Sequence, residues 1–124
     1  MCLIVSYPFL SPFNPLLFLV PCTYICHRVL TMSFEEGVFV SDIKCIDKMG
    51  ISKKRLSSLI STVYCEQIFR HGFVHCDPHE ANLLVRPHPS KSAGYPQLVM
   101  LDHGLYRELD DEFRRNYCRL WRYL

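Results

Sequence analysis

Charge is missing from the start of this chain. Residues 1–26 hold no Asp, Glu, Lys, Arg or His; the first titratable base is His27, the first cation Arg28 and the first lysine Lys44. Nowhere does the chain carry a block of like charge. Its 14 Lys and Arg against 12 Asp and Glu leave a net +2 over 124 residues, too little for an electrostatic footprint on nucleic acid or on an acidic partner. A second close cysteine pair is also lacking. Of seven cysteines only Cys22 and Cys26 are near neighbours, so no tetrahedral zinc set at the usual spacing can be assembled. An odd number argues against a fully paired extracellular framework and for free thiols in a reducing compartment.

The uncharged segment is hard to read as any standard leader. A membrane-spanning helix needs about 20 predominantly apolar residues, yet Pro8, Pro12, Pro15 and Pro21 interrupt this one, and its longest clean apolar run is residues 16–20. Each proline removes a donor and clashes with the preceding turn. There is no basic n-region for a signal peptide and no Arg- and Ser-rich stretch for a transit peptide. Three readings stay open for it: sequence that is no part of the evolved fold, such as translated intron, a membrane anchor, or a signal peptide. The chain thus divides into residues 1–27, apolar and proline-rich, and residues 28–124, whose composition is that of a folded domain.

In the second part, residues 28–34 (RVLTMSF) read as a strand leaving into a turn at Glu35-Glu36-Gly37. Ser41 is placed to cap a short helix ending at Met49, with Gly50 closing it. Residues 51–71 carry apolar side chains at 56, 59, 60, 63, 64 and 68, one face of a helix that Gly72 stops. Residues 83–86 and 98–101 are short apolar runs around a Pro/Ser/Gly-rich stretch (PHPSKSAGYP) and predict a hairpin with a long exposed connection. Asp110-Asp111-Glu112 opens a last helix with Phe113, Tyr117, Leu120, Trp121 and Leu124 on one face. The aromatics of that face are expected in the core, and His71 and His88 in solvent. No internal repeat is visible.

Two polar clusters sit at the ends of short apolar strands: residues 75–82 (HCDPHEAN) and 101–105 (LDHGL). Phosphoryl transfer asks for a carboxylate beside the acceptor hydroxyl, oxygen ligands for Mg²⁺, and cations or backbone amides around the phosphates. A kinase catalytic loop places its Asp five residues before an Asn, and a second Asp arrives on the next hairpin before a Gly. Asp77 and Asn82 have that spacing, and Asp102-His103-Gly104 stands in the place of Asp-Phe-Gly. His79 occupies the position where protein kinases usually carry Lys, with a site role and a loop brace both open for it. His75 is expected to brace the loop, His103 to pack rather than react, and Cys76 to be a passive small residue, because its acidic and neutral neighbours do not lower a thiol pKa.

At these residues the sequence resembles a known family. GFVHCDPHEANLLVR followed by LVMLDHGLYREL, with VLTMSFEEG upstream as a hinge strand, is similar to the UbiB/ADCK (AarF-domain) atypical kinases. Glu80-Ala81 stands where Pro-Gly is common and Ser33 where the hinge usually has Glu; the Ala-Asn ending and the Arg-Pro-rich hairpin look plant-like. The resemblance covers residues 28–124. It implies an α+β fold, the C-lobe portion of a protein-kinase-like domain, with helices and a short β-hairpin around the catalytic loop and the N-lobe largely missing. It implies Asp77 as the catalytic residue with His75 and His79 beside it, Asn82 and Asp102 as Mg²⁺ ligands, and Gly104 with them at the nucleotide site. Mg-ATP is then the expected cofactor and a nucleotide the expected partner. Mitochondrion or plastid, ubiquinone or other isoprenoid-lipid metabolism, and a membrane or isoprenoid-lipid contact follow from the family alone.

A working kinase also needs a strand-borne Lys paired with a helix Glu and a flexible loop over the phosphates. Nothing before Arg28 supplies that pair, so this stretch of chain by itself is expected to be inactive. Two other classes compete. His75, Asp77, His79 and His103 can be read as the metal cluster of a metallohydrolase, which leaves Asn82 unexplained. A membrane-associated, non-catalytic pseudokinase fragment fits if residues 1–26 are an anchor.

Overall fold

The computed structural model describes residues 17–19, 22–25 and 30–124. The readings made of residues 1–27 lie outside the described residues, apart from two short strands there. Among the described residues no helix is long and apolar enough to cross a membrane.

The predicted hairpin is the centre of the structure. Strand β6 (Leu83–Pro87) pairs antiparallel with β7 (Pro96–Met100), from Leu83 opposite Met100 to Pro87 opposite Pro96. All five residues of β7 are buried. A strand covered on both faces needs no polar alternation, which is why Leu98, Val99 and Met100 follow one another as apolar residues. Two edges complete a four-stranded sheet in the order β1-β7-β6-β4: β1 (Leu17–Leu19) lies parallel to β7, and β4 (Val38–Phe39) antiparallel to β6. Separately, β2 (Cys22–Ile25) pairs antiparallel with β3 (Leu30–Met32). Gly37 lets the chain pass close over β6, since a Cβ there would stand 3.1 Å from the Leu84 Cβ. The result is a mixed helix-and-sheet architecture, in keeping with an α+β kinase-like domain.

Helix α1 (Ile43–Lys48) is capped by Asp42, whose carboxylate accepts from the Cys45 N–H at 3.1 Å. This corrects the expectation of Ser41, which lies one residue too early to reach that amide. Helix α2 (Lys53–Cys65) starts at Ser52, whose hydroxyl accepts from the Arg55 N–H. Its buried Leu56, Leu59 and Val63 pack with Ile46 and Ile51 onto Val85, Leu98 and Met100. Each such side chain contributes about 1.5–3 kcal/mol on leaving water. At its C-terminal end α2 widens into a π-helical turn (Glu66–His71), and Gly72, at φ 67°, ends it as the sequence predicted.

Three further expectations need amendment. The hairpin connection is exposed at residues 89–93, but it is also pinned to α2: the Ser52 N–H donates to the Gly94 carbonyl at 3.2 Å, and the Arg55 guanidinium lies 4.1 Å above the Tyr95 ring. His71 and His88 are half-buried rather than exposed, and the His88 Nδ1 accepts from the Ser90 N–H inside that connection. Helix α3 (Asp111–Tyr123) buries no residue. Phe113, Leu120 and Trp121 are each more than half exposed, against the expected core placement. Only Tyr117 of that face is half-buried, stacked on Phe69 at 5.7 Å. The rest of the face has no described element across from it.

Candidate active site

Backbone pairing brings the two polar clusters together. Strand β5 (Phe73–His75) runs antiparallel to β8 (Tyr106–Glu108), so the loop leaving β5 and the turn entering β8 start side by side. Two bonds stitch them: the Cys76 N–H donates to the Leu105 carbonyl at 3.0 Å, and the Leu101 N–H to the Asn82 carbonyl at 2.8 Å.

His75 is the pin between them. It is 1% exposed, and its Nδ1 accepts from the Asp77 N–H at 3.2 Å. An accepting Nδ1 puts the ring proton on Nε2. That nitrogen then donates to the Asp102 carbonyl at 2.9 Å and, more weakly, to the Leu101 carbonyl at 3.3 Å. One neutral imidazole therefore holds the backbone of both acidic residues, the bracing part expected of it.

Asp77 is half-buried. Its Oδ2 accepts from the Asn82 Nδ2 at 3.1 Å, and the same amide reaches the Asp77 carbonyl at 3.3 Å. His79 caps the short 3₁₀ turn (Glu80–Asn82) that delivers Asn82, with its Nδ1 accepting from the Ala81 N–H at 3.1 Å. Asp102 is exposed and takes φ 52°, a left-handed conformation that a residue with a Cβ holds at a cost of about 1–3 kcal/mol and that gathers at functional sites. Its Oδ1 accepts from the Gly104 N–H at 3.3 Å, and a Cβ at Gly104 would crowd that oxygen at 3.1 Å.

His103 packs, as expected. Its Nδ1 is 2.8 Å from the Tyr106 hydroxyl and its ring stacks on Tyr106. Burial lowers its pKa, the neighbouring His75 adds to that, and Asp102 and the Met100 carbonyl oppose it. The Cys76 thiol donates to the Val74 carbonyl at 3.4 Å. The metallohydrolase cluster does not assemble. Among the described residues no three of His, Cys, Asp and Glu converge on a metal position, and both nitrogens of His75 are already committed to the backbone.

The oxygens that remain suit a different ion. Because the Asn82 amide nitrogen faces Asp77, its amide oxygen is left for a cation, and one oxygen of Asp102 lies outside the bond to Gly104. Mg²⁺ takes such hard oxygen ligands, holding to one or two protein groups and completing its shell with phosphate and water. The residues present therefore fit Mg²⁺.

Two residues next to the site were not picked out in the sequence as site residues. Tyr64 lies on the last turn of α2 with its hydroxyl buried and, among the described residues, without a hydrogen-bond partner. Burial, and then the charge of Asp77, push its pKa up to about 12. Gln67 is fully buried beneath His75. It falls four residues after Val63 on the apolar stripe of α2, so a polar residue inside that stripe was the available signal.

A loop Asp bonded to an Asn five residues on, and tied through a buried His to an Asp-x-Gly turn, brings together the two kinase-like motifs of the sequence. The chain belongs to the ABC1 atypical kinase-like domain family, which matches residues 17–124. It is 51% identical over 102 residues to an ABC1 protein of Arabidopsis thaliana, covering 78% of this chain and 19% of the relative. It is 45% identical over 97 residues to AarF domain-containing protein kinase 1 of Xenopus laevis, covering 78% and 18%. A Dictyostelium discoideum relative named as a probable serine/threonine-protein kinase, abkD, is 48% identical over 101 residues, covering 82% and 14%. The chain thus spans less than a fifth of the length of these relatives.

Proposed function

We propose that residues 75–104 form the metal-binding and acceptor-binding half of a Mg-ATP-dependent phosphotransferase or ATPase site. The observation that supports this is the chain of bonds from Asn82 through Asp77 and His75 to Asp102; in this reading Asp77 serves the acceptor and Asn82 and Asp102 the ion. Bound Mg²⁺ would neutralise phosphate charge. Asp77 would accept the proton of the acceptor hydroxyl or of water, with one of its oxygens steadied by Asn82. Asn82 and Asp102 would hold the ion, and the turn closed by Gly104 would hold Asp102.

Phosphoryl transfer also draws on a phosphate-orienting lysine and a loop over the phosphates, which are worth several orders of magnitude in rate. A part in ubiquinone or other isoprenoid-lipid metabolism, in mitochondria or plastids, attaches to the proposal through the family resemblance.

The test is calorimetric titration of the 124-residue chain with ADP, with and without Mg²⁺, beside Asp102→Ala. Affinity that rises with Mg²⁺ in the wild type and loses that rise in the variant is expected. Equal Mg²⁺ dependence in both would remove Asp102 from the site.

A further inference from the structure

Gln67 sits where stability alone would place a hydrocarbon. It continues the buried stripe of Leu56, Leu59 and Val63, and its side chain is 0% exposed. A buried primary amide is costly unless its polar atoms are bonded. Here both ends are engaged, and on different strands. Oε1 accepts from the His75 N–H at 2.8 Å, and Nε2 lies 3.7 Å from the Met100 Sδ. His75 ends β5 and leads into Asp77; Met100 ends β7 and stands two residues before Asp102. Gln67 also belongs to the π-helical turn, an irregularity that redirects side chains and gathers at functional sites. A methionine or leucine would fill the same space, but neither could accept from the His75 amide.

We infer that Gln67 is a positioning residue of the site: by holding the His75 main chain against Met100, it sets the separation between the Asp77–Asn82 pair and Asp102. The inference rests on reading those three residues as one Mg²⁺-nucleotide site. Its consequence is specific. Loss of the Gln67 acceptor leaves the His75 N–H unpaired and its main chain held by the β5–β8 pairing alone, the imidazole no longer spans both the Asp77 amide and the Asp102 carbonyl, and the two halves of the cation site drift apart while the core stays packed.

The experiment compares wild type, Gln67→Met, Gln67→Asn and Gln67→Glu in the 124-residue chain. Three readouts are taken: ¹⁵N shifts of the His75 ring nitrogens, ADP affinity with and without Mg²⁺, and the thermal unfolding midpoint. Methionine keeps the volume and removes the acceptor; asparagine withdraws the amide by one methylene; a neutral buried glutamic acid keeps the acceptor. Gln67→Met is expected to average the two ring shifts, which in the wild type report a single Nε2–H tautomer. Mg²⁺-dependent affinity should fall roughly tenfold, the scale of one buried hydrogen bond, with Mg²⁺-free affinity unchanged. Gln67→Asn should show the same losses and serves alone if the methionine variant does not fold; Gln67→Glu should restore both readouts. Unchanged ring shifts in the Met and Asn variants would overturn the inference, as would altered shifts with wild-type Mg²⁺-dependent affinity. If the wild type shows no Mg²⁺-dependent affinity, the nucleotide-site reading fails. The ring shifts then decide the positioning role, supported if lost in Met and regained in Glu and overturned otherwise.

Discussion

Helices α2 and α3 are both 13 residues long, both amphipathic and both capped by a side chain at the N-terminus, yet they hold to the molecule in opposite ways. Helix α2 buries Leu56, Leu59 and Val63 against the hairpin. Helix α3 buries nothing and is tied on by polar contacts, chiefly the Arg114 guanidinium donating to the Phe69 and Arg70 carbonyls at 3.1 and 3.2 Å. Amphipathic periodicity says that a face needs cover and is silent on where the cover comes from. The candidate site is built on the α2 side. Every residue in its bonded chain hangs from β5, β6, β7 or the π turn, and none from α3. Its geometry should therefore survive changes in α3.

The largest expected difference between the two regions is in core energetics. Leu59→Ala should cost about 2–5 kcal/mol through lost burial and the cavity left behind, whereas Trp121→Ala should stay under about 1 kcal/mol, because its ring is already more than half exposed. Urea unfolding measures both, and equal costs would mean that α3 is packed after all. Next come the caps. Asp110 accepts from the Glu112 and Phe113 amides at 2.6 and 3.0 Å, and Ser52 from the Arg55 amide; replacing either by Ala costs about 0.5–2 kcal/mol. The loss at Ser52 should lower the global midpoint, while that at Asp110 should appear as faster amide exchange within α3 alone.

A smaller effect separates the regions by pH. His103 has its pKa lowered from 6.5, first by burial. The neutral ring is the form the fold prefers, so its contribution to stability is complete above about pH 6.5. It is lost as pH falls through the depressed folded value. On α3, Asp111 is lowered from 3.8, first by its hydrogen bond with Arg114, and its contribution fades only below that value. His103→Phe should flatten the stability profile between neutrality and mild acid, and Asp111→Asn should leave that window unchanged; denaturation midpoints across pH check both. The smallest signal is spectroscopic. Absorbance at the tyrosinate band should show one phenol ionising at about 12, and Tyr64→Phe should remove that late step.

Much of this was legible in the residues. The hairpin declared itself through two apolar runs around a turn-rich stretch, α2 through its stripe and the glycine that ends it, and the site through the spacing of Asp77, Asn82 and Asp102. The rest was not legible for physical reasons. The exposed aromatics of α3 follow a core pattern whose partner is not among the described elements. Cap choice between Ser41 and Asp42 depends on which side chain reaches a particular amide, and spacing does not encode that. Arg86 pairs with Glu35 at 2.9 Å and bonds Gln97 at 2.8 Å, contacts across 51 and 11 residues that no local pattern reveals. Gln67 extends an apolar stripe with a polar side chain, and local sequence carries no sign that such a side chain is buried and bonded.

The most direct measurement is the location of a divalent ion on the folded chain. Mn²⁺ added with ADP to the isotope-labelled protein broadens the NMR signals nearest the ion. Broadening of the Asn82 side-chain amide and the backbone of residues 102–104, abolished in Asp102→Ala, is the expected result. Broadening confined instead to the acidic mouth formed by Glu108, Asp110 and Asp111 beside His71, or absent altogether, would contradict the placement of one metal site between the two loops.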